Sequence, residues 1–227
     1  MASPFYDITT YWVLFVCFVA LVVFLSLLRT GKASKRKMMI GGVLFSGLIV
    51  CVHWIFGGQH LFPPDMTGGA FYLVILAGAA AVVALYYATV REEFFNLSQE
   101  HLQLAQGVRV FVGGGFLMEG VLDVIPGWFS ILDGYFHIAS GFLALVAAIA
   151  QLKNSALKHQ MLWLANIVGL LDIMVIITSI CFLVWPALGP YHNMMYVVFV
   201  AGPLLLWIHF VSIAKLLTSE KVTAAAF

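Results

Sequence analysis

The chain has 227 residues, of which 63% are hydrophobic and 9% charged, with a formal net charge of +1 and a mean hydropathy of +1.04. A soluble globular domain carries charge on about a quarter of its residues, so this composition excludes one. The small net charge leaves no footprint for nucleic acid. The expected class is an all-α polytopic membrane protein whose partner is the lipid bilayer, forming a single domain over 1–227 because no linker or low-complexity tract divides the chain.

A helix crossing a hydrocarbon core of about 30 Å needs about 20 apolar residues. Runs of that kind lie near 11–28, 39–57, 70–89, 108–125, 129–151, 161–185 and 194–216, which gives seven spans. The first follows MASPFYDITTY, which has no basic n-region, and its apolar run outlasts a signal-peptide core, so it is expected to remain as an anchor. The connection REEFFNLSQEHLQLAQ at 91–106 has Ser98 as a helix cap. It reads either as a segment lying along the inner membrane surface or as a helical extension of span 4. Span 4 contains GGGFLMEGVLDV, and its glycines 113, 114, 115 and 120 leave a slim helix suited to close packing, within the chain or in a homo-oligomer. A six-span alternative would make this segment re-entrant.

Basic residues collect in cytoplasmic loops. Arg29, Lys32, Lys35, Arg36 and Lys37 follow span 1, Arg91 and Arg109 bracket the entry to span 4, Lys153 and Lys158 follow span 5, and Lys215 and Lys221 end the chain. All eleven fall on one side in a seven-span arrangement with the N-terminus out and the C-terminus in. Trp54, Trp128, Trp185 and Tyr191 form an aromatic belt at the outer rim. Cys17, Cys51 and Cys181 lie within spans and supply no disulfide framework. YLVILAG at 72–78 and YVVFVAG at 196–202 echo one another, as in a three-one-three transporter plan like that of the SWEET sugar transporters, although only Pro203 here sits deep in a span.

Ionisable groups in a span are costly and mark candidate sites. Glu119 and Asp123 lie one helical turn apart on span 4, Asp133 and His137 one turn apart on span 5, and His53 reaches a similar depth on span 2. Carboxylates and imidazoles converging near the outer face suit three chemistries. His53, Glu119, Asp133 and His137 offer ligands to Zn or Fe. Clustered acids at low dielectric can pass protons. Two facing histidines could clamp a haem, the weakest of the three for this spacing. Asp172 in span 6 and His209 in span 7 lie deeper at comparable depth, with Asn166 and Ser179 on the Asp172 helix, and are expected to pair.

From about residue 108 onward, PGWF at 126–129, NIVGLLD at 166–172 and GPLLLWIHFVS at 202–212 resemble small bacterial multi-pass inner-membrane proteins of unassigned function. The resemblance implies a bacterial inner-membrane setting and brings no activity. Span 7 lacks the retinal-binding lysine of seven-span rhodopsins and the paired histidines of membrane metal-dependent hydrolases. The leading functional expectation is a protein that handles protons or a small cation through Glu119, Asp123, Asp133 and His137, with Asp172 and His209 deeper on the path. The alternatives are a membrane metalloenzyme with Zn or Fe at the outer cluster, a haem-binding subunit, and a scaffold without chemistry.

Overall fold

Long apolar runs have only one way to satisfy their backbone polar groups without water, which is to close every hydrogen bond within a helix. The computed structural model describes residues 6–58, 61–63, 66–189 and 192–224, and among them every regular element is helical. Helices α1 (Tyr6–Thr30) and α2 (Lys35–Gly58) form a hairpin. Helix α3 (Gly68–Phe95) starts at Thr67, whose hydroxyl accepts from the Ala70 N–H. The short α4 (Gln99–Gln106) and α5 (Val108–Val121) follow, separated by Gly107. Helix α6 (Gly127–Leu152) comes next, then α7 (Lys158–Ser179), a π-helical turn (Ile180–Val184) and α8 (Trp185–Leu188). A second π turn (Val197–Ala201) leads into α9 (Gly202–Ala224).

Six of these helices are long and apolar enough to cross a membrane: 7–30, 35–56, 68–95, 127–152, 158–188 and 197–218. The fourth expected span is different. At about 1.5 Å per residue, the 14 residues of α5 cover about 21 Å, short of a hydrocarbon core. Helices α4 and α5 both pack along α6. Leu102, Gln103, Ala105 and Gln106 of α4 are buried, so this segment packs within the helical bundle.

The α5–α6 pair is held at close range by its glycines. A Cβ at Gly113 would stand 2.5 Å from the Gly134 carbonyl, and one at Gly120 would meet the Ser130 side chain. Gly115 is used against Trp12 of α1, so of the four glycines in span 4 only Gly114 has nothing within 4 Å. Helix α5 ends as Val124 N–H bonds the Glu119 carbonyl, with Asp123 in the left-handed region at φ 53°. That conformation turns Asp123 out to an exposed position, off the face that carries the buried Glu119.

The last span is the hub: 61% of it is buried, against 22% for α2 and for α3. Each π turn is followed, after one residue, by a proline, Pro186 or Pro203, and in each the last N–H before the ring reaches back five residues, Trp185 to Ile180 and Gly202 to Val197. Of the expected aromatic belt, Trp54 and Trp128 are exposed, Trp185 is buried and donates to the Met66 carbonyl, and Tyr191 lies outside the described residues. Cys17, Cys51 and Cys181 are free.

A buried cluster of charge as the candidate functional site

Asp133 and His137 share one face of α6, as i,i+4 spacing requires, and both are buried. The face meets α7 at Asp172, which is fully buried too. His137 Nδ1 lies 2.9 Å from Asp133 Oδ1 and 3.1 Å from Asp172 Oδ1. The distances are those of ion pairs, yet Nδ1, both oxygens of Asp133 and Oδ1 of Asp172 have no partner at hydrogen-bond angles.

The other oxygen of Asp172 is tightly held. Arg109 Nη1, from the first turn of α5, donates to Asp172 Oδ2 and to the Gly169 carbonyl, each at 2.9 Å, and approaches Ser140 Oγ at 3.3 Å. Ser140 Oγ lies 2.8 Å from Asp172 Oδ2 and 3.1 Å from the His137 carbonyl, either of which can accept its proton. Two carboxylates, an imidazole and a guanidinium thus share one buried site, with Asp133, His137 and Asp172 offering donor atoms within 4.8 Å of one another.

Arg109 overturns its expected role. It does not mark a cytoplasmic loop: at 1% exposure it is among the largest fully buried side chains, and the sidedness of charge rests on the other ten basic residues. A lone arginine at the head of an apolar run, in a chain with several intramembrane acids, was the available signal. Ser140 carried none.

The expected Asp172–His209 pair does not form. Asp172 is taken by Arg109 and His137, and His209 Nδ1 lies 2.9 Å from Asn166 Oδ1. The Asn166 amide is oriented by its nitrogen, which donates to the Leu162 carbonyl and to Ser212 Oγ. His209 Nδ1 is therefore the donor toward Oδ1, and its Nε2 is a bare lone pair beside Gly169.

Around Ser212 an amide layer ties α4 to α7 and α9. Gln103 Nε2 donates to Ser212 Oγ, Ser212 Oγ donates to Gln99 Oε1, Gln99 Nε2 donates to the Ser212 carbonyl, and Gln106 Nε2 donates to the Leu205 carbonyl. These glutamines fell in the stretch expected to be a polar connection, where a period-3.6 reading of 99–106 was the signal that could have found them.

The remaining expected residues stand apart from the cluster. His53 lies on an exposed face and its Nδ1 is 2.7 Å from the Tyr196 hydroxyl. Glu119 Oε1 accepts from Asn193 Nδ2 at 3.0 Å, and the same amide reaches Thr9 Oγ1 at 2.9 Å, which docks the 192–196 segment onto α5 and α1. Next to it His192 fits between the Val124 carbonyl and the Met194 N–H, and burial pushes its pKa down to about 4.

No curated protein and no solved structure matches the chain. A family model does match, over residues 69–217, a range that holds every member of the charged cluster and of the amide layer while leaving out α1 and α2. The chain belongs to this family, a domain of unknown function, DUF8737.

Proposed function

We propose that the protein is a multi-pass inner-membrane protein of seven spans, N-terminus out and C-terminus in, that handles protons through Asp133, His137, Asp172 and Arg109. The observation that carries the reading is the position of His137 Nδ1 between two buried carboxylates, 2.9 and 3.1 Å away. Removing net charge from water is expensive, so a buried set of ions is held near electrical balance. Two carboxylates against one guanidinium leave one negative charge over, and a single proton on the imidazole cancels it. That proton has two carboxylates to move to, neither of which holds it in an aligned bond. The topology is supported by Lys37 pairing with Glu93 at the end of α3, and by Lys215 bonding the Phe95 and Leu97 carbonyls, which gather cations at one end of the bundle.

The second reading, a Zn or Fe site, is favoured by the same Asp133, His137 and Asp172 donor set. Arg109 weighs against it: a divalent ion would leave the cluster with an uncompensated positive charge, and the guanidinium already occupies one Asp172 oxygen. Proton flux into vesicles containing the purified protein, read with an internal pH dye under an imposed potential, tests the first reading. Flux should exceed that of protein-free vesicles and be lost in Asp172→Asn and His137→Gln. Flux equal to the protein-free control, together with stoichiometric metal in the purified protein, would favour the second.

A further inference from the structure

The two π turns arise from one sequence pattern. ICFLVWP at 180–186 and VVFVAGP at 197–203 each place phenylalanine third and proline seventh. In both, the N–H before the proline bonds the first carbonyl of the pattern, Ile180 or Val197. The next carbonyl, Cys181 or Val198, is then left without a helical donor. Its α-helical partner is already used, and its π-helical partner would be proline, which has no N–H. The Cys181 carbonyl is covered by Gly68, where a Cβ would stand only 2.0 Å from the oxygen.

Val198 has a different neighbour. With Gly202, Pro203 and Phe116 it lines a cavity of about 50 Å³ that also reaches Arg109 and His137. His137 retains 7% exposure although its Nδ1 is fully buried against the carboxylates, so the ring edge carrying Nε2 is the one turned to this space. Non-helical backbone at membrane depth is tolerated where it is buried in protein or lines a water-filled cavity. A cavity needs roughly 10–15 Å³ of such volume to hold a water, which must find two to four polar partners, and in this otherwise apolar cavity those are offered by Val198, His137 and Arg109.

We propose that this cavity binds water between the Val198 carbonyl and the Nε2 edge of His137, which delivers protons to the charged cluster; the delivery rests on the proton-handling reading above. When the cluster is one proton short, the imidazole is neutral, protonated on Nδ1 with a lone pair on Nε2, and a proton arriving through the water adds to Nε2 and restores the charge-balanced imidazolium. The proton on Nδ1 then passes to a carboxylate oxygen of Asp133 or Asp172, which leaves a neutral imidazole with its tautomer exchanged.

Hydroxyl-radical footprinting by synchrotron radiolysis, read by mass spectrometry on the detergent-solubilised full chain, detects bound water whether or not the protein moves protons. Phe116 should be oxidised faster than Phe94, a buried phenylalanine that does not line this cavity. Ala79→Leu, which fills the cavity from its partly exposed wall, should abolish that difference, and so should Pro203→Ala, which restores the missing N–H. Phe116 oxidised no faster than Phe94 would overturn the hydrated site. In vesicles, Ala79→Leu should lose proton flux, and full flux in that variant would overturn the delivery role. If Phe116 is labelled as expected while the wild-type protein moves no protons, the water site stands and the proton-handling reading is the one that fails.

Discussion

Asn166 and Asp172 are six residues apart on α7, about 9 Å along the helix, and they anchor two polar layers of opposite character. In the amide layer every side-chain nitrogen of Gln99, Gln103, Gln106 and Asn166 finds an acceptor, and the carbonyl acceptors set the direction of the network. In the charged layer the groups are as close, yet four of the polar atoms between His137 and its two carboxylates lack an aligned partner. Amides cannot change charge, so the first layer can only hold helices together. The second holds ionisable groups in an arrangement that one proton can re-order. A buried polar network is thus glue or machinery according to whether its hydrogens are committed.

The largest expected effect separates the layers by charge. Arg109→Met strips the counter-ion from two buried carboxylates, and breaking a buried pair on one side costs about 3–5 kcal/mol. Thermal unfolding in detergent should show that loss, and Arg109→Met/Asp172→Leu should recover most of it because no orphan charge is left. A single variant as stable as the wild type would show that this ion pair does not hold the bundle.

How much of this was legible follows from the same contrast. Six long helices were readable because 20-residue apolar runs admit no other structure, and the i,i+4 pair Asp133/His137 because helical geometry puts both on one face. The partner of Asp172 was not readable. Depth along a span says which residues lie at one level, but rotation about the axis decides which of them meet, and here it turns Asp172 to Arg109 and His209 to Asn166. Arg109 was hidden by the assumption that cations near a span end face water. The glutamines of α4 were hidden because three amides in eight residues look like a loop until the buried face is counted. That Pro203 deprives the Val198 carbonyl of its π-helical donor is a local rule, readable from one residue.

Acid sensitivity sharpens the comparison from outside both layers. His192 lies between Leu188 and Val197, beyond the long apolar helices, with its pKa pushed down by burial to about 4 from the ordinary 6.5. The unfolded chain therefore binds a proton that the folded chain refuses between those values. Stability is complete above pH 6.5 and falls as the pH drops toward 4, by up to about 3 kcal/mol. Unfolding midpoints across that range should fall in the wild type and much less in His192→Gln. An unchanged slope in the variant would assign the acid loss to the charged layer instead.

The smallest effects belong to the amide layer, and they test whether it is glue. Asn166→Leu removes donors to the Leu162 carbonyl and Ser212 and leaves His209 Nδ1 without its acceptor. Single side-chain hydrogen bonds between membrane helices average about 0.6 kcal/mol and reach about 1.7, so a residue with two of them, to Ser212 and His209, should cost about 1–2 kcal/mol. Gln103→Leu removes one donor to Ser212, which keeps Gln99 and Asn166 as partners, and should cost about 0.6 kcal/mol. Neither variant alters the number of titratable groups, so proton flux per folded molecule should match the wild type in both. A Gln103→Leu protein that folds normally but moves no protons would place the amide layer on the proton path, and the division drawn between the two layers would then be wrong.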